Sequence, residues 1–520
     1  MIVIDRHEVE PIVGLEVHVQ LATRTKVWCA CPVEFGARPN SRTCPVCLGL
    51  PGALPVLNRQ AVELAVLTGL ALNCRIAEVA RWDRKSYFYP DLPKNYQISQ
   101  YDLPLCSNGY FELPRDHKIQ KIRIRRAHLE EDAGKNVHDL PGCTGVDLNR
   151  AGTPLLEIVT EPDLRSAEDT RDFAIELQRL VSYLGVSEGN MQKGQLRFEP
   201  NVNLRIRSGG QEAFTPIVEV KNLNSFRSLF GAVSHEIARQ FDEWRRTGEA
   251  ARTGNKRNRG WDDEREVTVA QREKEEVHEY RYFPDPDLAP LKADPAWIEE
   301  LRHHMPELPI PRTERFIAEY KLAPKDAPAL VDCRRSADLL DHAAEAGGDK
   351  LVLGKQLLSF WSKLANERQT TIAGLGVAPR RFAELANLVR DGRISATAAA
   401  QVAESIVQAV DGMLGERKRP GAGECLGEFP CVDSEHLAPQ AVAERLGLLQ
   451  CSDADQIALW VQEVLEANPQ AVRDAQGNPK KLAAARGFLL GQVMKASGGK
   501  ADPRVVGDVL ARRLRAPGAP

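Results

Sequence analysis

In the first part of the chain, apolar and polar residues alternate in short runs. Leu15, Val17, Val19 and Leu21 are interleaved with Glu16, His18 and Gln20, and Val202, Leu204 and Ile206 oppose Glu199, Asn201, Asn203 and Arg205. A period of two sends successive side chains to opposite faces, so such runs predict strands with one dry and one polar side. Between them, residues 60–72 and 167–184 repeat their apolar positions at helical spacing and predict helices. Residues 245–265 are polar and rich in Gly, Arg and Asn, which predicts a mobile loop. Near residue 295 the pattern becomes helical almost throughout, with Phe316, Ile317 and Tyr320 on one face after Pro306, Pro309 and Pro311. Residues 415–430 read as a linker. The expected class is α+β: a large strand-rich domain over 1–295, an all-α domain over 296–415 and a small helical tail domain over 431–515.

Composition narrows the function classes. The chain has 520 residues, and its 69 Lys and Arg nearly balance 72 Asp and Glu, for a net charge of −3. That balance excludes a uniformly basic nucleic-acid coat, although a local patch is allowed. No uncharged apolar run approaches the roughly 18 residues of a membrane span, so no membrane partner is expected. The start, MIVIDRHEVEP, lacks the basic-then-apolar pattern of a secretory signal. Eleven cysteines, an odd number, argue against a complete disulfide framework and for a reducing, cytoplasmic setting.

Four of those cysteines fall in two turn-borne pairs, Cys29-x-Cys31 and Cys44-x-x-Cys47, flanked by Pro32, Pro45, Gly49 and Pro51. Paired thiolates on sharp turns can surround one Zn²⁺, and four protein ligands leave no open position, so the zinc would be structural. The alternatives are four unrelated buried cysteines or a redox pair at Cys44 and Cys47. Cys74, Cys106, Cys143, Cys333, Cys425, Cys431 and Cys451 are isolated and expected to pack in cores.

The polar strand faces carry unusual chemistry. Glu16 and His18, at i and i+2, can share a divalent cation. Glu130, Glu131 and Asp132 follow a strand expected over residues 122–126, and Glu157 sits in an otherwise apolar strand. Arg197, Glu199, Asn201, Asn203 and Arg205 share one face, and Glu219 and Lys221 alternate with Val218 and Val220. Carboxylates hold Mg²⁺ and cationic side chains receive phosphate oxygens, the equipment of phosphoryl or carboxyl activation. A charge ladder between neighbouring strands is the alternative. In residues 85–102, Tyr87, Phe88, Tyr89, Tyr96 and Tyr101 cluster around Lys85 and Lys94, as a stacking platform for a base or as aromatic core packing. No phosphate-loop, dinucleotide, nucleophile-elbow or H-E-x-x-H motif is present, which leaves hydrolase readings without a nucleophile or zinc-bound water. Residues 480–515 hold nine Lys and Arg against two Asp, a local +7. Lys495, Lys500 and Arg504 would meet where a Gly-rich turn leads into Asp502 and Pro503, a helix cap followed by proline. Such a corner suits shaped RNA; a solvated basic helix is the alternative.

Several segments carry a resemblance. GLEVHVQL (14–21), KSYFYPDLPKNYQISQYD (85–102), HLEEDAGK (128–135), NRAGTPLLEIVTEPD (149–163), VEVKNLNSF (218–226), HEYRYFPDPDL (278–288) and FLLGQVMKASGGKADP (488–503) resemble the B-subunit family of bacterial glutamyl/aspartyl-tRNA amidotransferases. The resemblance spans essentially the whole chain. It implies a heterotrimeric ligase whose glutaminase A subunit sends ammonia to the B subunit, with a small C subunit as third partner. ATP would phosphorylate the side-chain carboxylate of Glu or Asp mischarged on tRNA, and ammonia would displace the phosphate. It further implies a catalytic cradle domain, catalytic roles for Glu16, His18, Glu131 and Glu157, and Mg²⁺ on those residues with Glu130 and Glu199. Phosphate would meet Lys85, Arg197 and Lys221; structural Zn²⁺ would sit on Cys29, Cys31, Cys44 and Cys47; tRNA would touch Lys495, Lys500 and Arg504. Where the family usually reads Arg-Cys-Asp-x-Asn, this chain has Arg197, Phe198, Glu199, Pro200 and Asn201. Glu in place of Asp moves the charge outward by one methylene, about 1.5 Å. Residues 267–272, VTVAQR, also differ from the usual Ser-Met-Arg wording. These departures motivate the rival reading, a weakened paralogue that only binds tRNA or a partner.

Overall fold

The computed structural model describes residues 2–4, 7–115, 118–138, 141–252, 255–271, 280–415, 430–450, 453–477, 479–498 and 500–514. The expected linker lies outside the described residues except for Gly415 and Pro430, and so do Cys425, Cys451, Arg272 and His278. The chain divides into two compact units, residues 1–311 and 312–520.

The first unit is built on an eleven-stranded sheet among the described residues. Its strands, numbered in chain order, are β1 (Ile2–Ile4), β2 (His7–Gln20), β3 (Arg75–Ile76), β4 (Cys106–Arg115), β5 (Lys118–Glu131), β6 (Pro154–Thr160), β7 (Leu196–Ser208), β8 (Gln211–Phe214), β9 (Val218–Lys221), β10 (Arg257–Asp262) and β11 (Val267–Ala270). The order across the sheet is β11-β10-β9-β7-β2-β6-β5-β4-β3, with β1 paired to β2 and β8 to β7. All pairs are antiparallel except β9 with β10. The alternation at residues 15–21 and 198–206 thus forms strands at the middle of the sheet, as its periodicity predicts.

One face of the sheet is dry. Val17, Val19, Leu129, Leu156, Ile158, Phe198 and Val202 are fully buried there against three helices: α1 (Arg59–Ala71), α2 (Ala167–Tyr183) and α3 (Phe226–Thr247). The helices begin where side chains can satisfy their first amides: Asn58 accepts from the Gln60 amide, Ser166 from Asp169 and Ser225 from Ser228. A fourth helix, α4 (Pro295–His303), lays Trp297, Ile298 and Leu301 on the same core, which carries the first unit past residue 295. Beside the sheet, Asp83–Ser86, Tyr96–Ser99 and Phe283–Pro284 form a three-stranded flap.

Two expectations are corrected. Residues 245–265 are not a loop throughout: they hold the end of α3 and strand β10. Arg257 of that strand pairs with Glu243 of α3 at 3.2 Å, and Arg259 with Glu236 at 3.2 Å, so the charges that suggested solvent are neutralised by the helix behind them. The strand expected over 122–126 also extends through Glu131, which places Glu130 and Glu131 within β5.

The second unit is built of helices among its described residues, with isolated bridge pairings such as that of Val377 with Val432. Phe316 and Tyr320 of Pro309–Tyr320 are both buried, and the tail packs Ile457, Val461, Leu489, Val493, Val506 and Leu510 into one apolar cluster. Among the described residues, no helix is long and apolar enough to cross a membrane.

Candidate functional site

The polar face of the sheet carries the site. Register decides what meets there: Arg197 of β7 lies opposite His18 of β2, His18 opposite Glu157 of β6, and Glu157 opposite His128 of β5. Four strands therefore contribute one transverse row, and Glu130 stands two residues along β5 on the same face. His18 Nε2 is 3.8 Å from Glu130 Oε1 and 3.7 Å from Glu157 Oε2. His128 Nε2 is 3.5 Å from Glu157 Oε2 and 3.9 Å from Glu130 Oε2. Ligand atoms each about 2.1 Å from one octahedral ion are about 3.0 to 4.2 Å apart, so His18, Glu130 and Glu157 fit a shared cation. The Nδ1 atoms of both histidines are buried without a hydrogen-bond partner.

Burial acts on Glu157, Glu130 and His128, and the balance with their neighbours differs at each. Burial raises the Glu157 carboxyl, but His128, His18 and Lys85 overcome it and draw it down to about 2. Glu130 goes the other way, raised by burial and by the Glu157 charge. Burial lowers His128 to about 4, so its imidazole is neutral at physiological pH. Two adjacent carboxyls are thus pushed apart in acidity, the arrangement in which one stays charged while the other can carry a proton.

A second cluster lies beside the first. Glu16, Glu199 and Glu219 bring carboxylate oxygens within 4.8 Å of one another, an all-oxygen set of the kind magnesium prefers. Lys221 Nζ reaches Glu199 at 2.9 Å and Glu219 at 3.0 Å, and Asn201 donates to Glu16 at 3.1 Å. Phe198 points to the other face, buried and 6.0 Å from Phe226, while Glu199 keeps its carboxylate beside Glu16 and Glu219. The departure from Arg-Cys-Asp-x-Asn therefore changes the core side of β7 and leaves an acid on the polar side.

The cations sort into two groups. Arg197 is committed to Asp132, Nη2 to Oδ2 at 2.8 Å, and Lys221 to its two glutamates. Lys85 and Arg126 form no ion pair among the described residues, and both act electrostatically on Glu157. Burial lowers the Lys85 ammonium, yet Glu130, Tyr282 and Glu157 hold it above the usual lysine range. Arg126 stands on the His128 face of β5, with its Nε buried and unbonded.

Glu131 is not brought to either cluster. Alternation along β5 sends it to the opposite face from Glu130, where it pairs with Lys94 and accepts the Ile98 amide at 2.9 Å. The aromatic segment is divided: Tyr96 packs against the core, whereas Phe88 is 65% exposed and Tyr89 47%. Tyr101 stacks on Tyr282 with centroids 4.4 Å apart, Tyr87 stacks on Tyr89, and the Lys85 ammonium lies 5.0 Å over the Tyr280 ring.

The four turn cysteines converge as expected from their spacing. Their sulfurs lie within 4.8 Å of one another, and Cys44 and Cys47 are 3.9 Å apart. A tetrahedral ion with bonds of about 2.3 Å separates its sulfurs by about 3.8 Å, so the cluster could hold a metal. A hydrogen bond from Cys29 draws the Cys47 thiol down to about 4. Of the other cysteines, Cys74 and Cys106 are buried, but Cys143 and Cys431 are exposed, which corrects their reading as packing residues. In the tail, Lys495, Lys500 and Arg504 are all exposed, and Asp502 caps its helix by accepting the Arg504 amide at 2.8 Å.

Sequence reasoning missed His128 and Arg126, and singled out Asp132 and Glu219 without giving either a role. The available signal was position: His128 precedes Glu130 by two residues, so one strand face must carry both.

A family model described as the GatB/GatE catalytic domain matches residues 11–299, and one described as the GatB domain matches residues 338–514. The chain is 44% identical to the B subunit of the aspartyl/glutamyl-tRNA(Asn/Gln) amidotransferase of Moorella thermoacetica, over 98% of this chain and 100% of that one. Identity to the proteins of the same name is 42% in Persephonella marina, over 98% and 100% of the two chains, and 40% in Carboxydothermus hydrogenoformans, over 98% and 99%.

Proposed function

The chain belongs to the family of aspartyl/glutamyl-tRNA amidotransferase B subunits, and from that premise we propose that its polar sheet face activates the side-chain carboxylate of Glu or Asp mischarged on tRNA. ATP transfers its terminal phosphoryl group to that carboxylate, and ammonia from a glutaminase A subunit displaces phosphate to leave the amide. A carboxylate is a poor acylating group until one oxygen becomes a leaving phosphate, which is the task the site must perform.

The observation that carries the reading is the row Arg197, His18, Glu157 and His128 with Glu130 beside it. A magnesium ion held by His18, Glu130 and Glu157 would neutralise charge gathering on phosphoryl oxygens. Glu16, Glu199 and Glu219 offer a second set of oxygens, with Lys221 already among them. Lys85 and Arg126, with no ion pair among the described residues, are the cations for the phosphoryl and carboxylate oxygens of the substrates. Arg197, clamped to Asp132, orients the row rather than binding phosphate as strongly. The exposed tyrosines offer ring faces to an adenine or to a terminal tRNA base. The four-thiol clip would hold zinc in a closed, structural site. Lys495, Lys500 and Arg504 would contact tRNA phosphates, and a small C subunit would complete the complex.

The test uses the complex assembled with its partner subunits. Glu157→Gln keeps the shape and removes the charge, so conversion of Glu-tRNA to Gln-tRNA should fall by at least 100-fold, about 2.7 kcal/mol, while glutamine hydrolysis persists. Full amide formation by that variant overturns the site.

A further inference from the structure

We propose that Lys94 and Glu131 are positioning residues through which the four-cysteine clip braces the acidic cluster; the inference rests on the function proposed above and gives Glu131 a role on the opposite face from the chemistry. Gly49 follows Cys47 by two residues and lies against the Lys94 stem. A Cβ on Gly49 would stand 3.1 Å from both Cα and Cβ of Lys94, and closer still to its Cγ. The Lys94 ammonium pairs with Glu131, the two side chains being only 7% and 2% exposed. On the other flank is Gly152. A Cβ there would lie 3.6 Å from Cys47 Cβ, 3.4 Å from Lys26 Cδ and 3.7 Å from Glu131 Oε2. Glu131 is thus enclosed between the clip and the flap.

The same carboxylate pins the flap. Glu131 Oε1 accepts the Ile98 amide at 2.9 Å, and its carbonyl accepts from Gln97 Nε2 at 2.5 Å. Ser99, at the end of that flap strand, donates to Glu130 Oε2 at 3.2 Å, and Gln97 pairs across the flap with Lys85. One short strand is therefore held from below by Glu131 and delivers Ser99 to the cluster above, while the strand paired with it carries Lys85. Adjacent glutamates of β5 divide the work: Glu130 faces the cluster, and Glu131 anchors what covers it. A buried charge pair of this kind tolerates little displacement, because separating it leaves two uncompensated charges.

Two glycines make a controlled experiment. Gly49 (φ +65°) and Gly52 (φ +82°) both adopt the left-handed conformation, so alanine strains the backbone at each. A side chain at Gly52 meets nothing within 4 Å, whereas one at Gly49 displaces Lys94. The full chain, assembled with its partners, is compared as Gly49→Ala, Gly52→Ala, Lys94→Met and Lys94→Arg. Readouts are zinc content, Mn²⁺ binding by electron paramagnetic resonance, amide exchange over residues 96–99, and the KM for ATP. We expect Gly49→Ala and Lys94→Met to retain zinc, weaken Mn²⁺ binding and raise the ATP KM by about tenfold, and speed exchange at residues 96–99. Gly52→Ala should stay within about twofold of the parent, and Lys94→Arg should recover part of the loss. Equal Mn²⁺ binding in Gly49→Ala and Gly52→Ala overturns the brace, as does faster exchange with unchanged Mn²⁺ binding. If the glycine variants do not fold, the Lys94→Met and Lys94→Arg pair decides by the same criteria, and equal Mn²⁺ binding in Lys94→Met and the parent overturns the brace. Failure of the brace with Glu157→Gln still inactive leaves the proposed function standing; an active Glu157→Gln sinks that function instead.

Discussion

Among the described residues of the polar face, Arg126 shares with Lys85 the lack of an ion-pair partner. Arg197 and Lys221 on the polar face are matched to carboxylates, whereas Arg126 pairs with none and its Nε is buried and unbonded beside His128 and Glu157. A buried donor without an acceptor costs about 1–3 kcal/mol, which an anionic substrate oxygen would remove. Arg126→Met should accordingly raise the KM for ATP by about tenfold, about 1.4 kcal/mol, in an ATP titration of amide formation. An unchanged KM would remove it from the site. At this scale the sequence was readable where alternation was followed to its end. Glu16 and His18 share a face because their spacing requires it. The resemblance implies a catalytic role for Glu131 and a metal role for both Glu131 and Glu130, and a strand ending at Arg126 assigns neither a face; since the strand runs through both, one must leave the cluster. The pairings His18 with Glu157 and Arg197 with Asp132 join strands far apart in sequence, and no local pattern encodes them.

Among elements, the helices Pro309–Tyr320 and Arg334–Glu345 are tied by charge as well as by apolar packing. Asp341 receives Arg312 at 2.6 Å, Arg315 at 2.7 Å and the Tyr320 hydroxyl at 3.0 Å. Burial raises its carboxyl, but hydrogen bonds from Arg315 and the charge of Arg312 outweigh this and hold it below the ordinary range. A carboxyl lowered by folding stabilises the native state above its unfolded pKa, and that contribution disappears as pH falls through the folded value. Asp341→Asn should cost about 2 kcal/mol at pH 7, and the difference from the parent should shrink toward pH 3, as measured by urea unfolding. A pH-independent difference would show that the charge is not responsible. The segment at 245–265 marks the limit of element reading: a strand whose arginines are neutralised by a neighbouring helix has the composition of a loop, and only the tertiary partner distinguishes them.

For the molecule as a whole, a net charge of −3 conceals a positively charged tail. Lys495, Lys500 and Arg504 are exposed around the capped start of Pro503–Arg513, so their charge is available to a polyanion. Replacing all three with Gln should weaken tRNA binding at low salt and reduce the slope of log affinity against log salt by about 2–3, since each phosphate contact contributes about 0.7–0.9. A parallel slope in filter-binding measurements would place the tRNA elsewhere. The α+β class was legible from the change of period near residue 295, but the first unit reaches residue 311 because α4 packs on its core, a contact that periodicity does not reveal.

The separation of the site's parts along the chain has a temporal consequence. The clip needs only residues 29–47, whereas the clusters draw on Glu16 and His18 at one extreme and Glu219 at the other. At roughly 5–20 residues per second on the ribosome, the sulfurs emerge together within about 1–4 s, but the last carboxylate trails the first histidine by about 10–40 s. Under the proposed function, a nascent chain would capture zinc long before it could bind magnesium, and a truncated product would be a metalloprotein unable to activate the carboxylate.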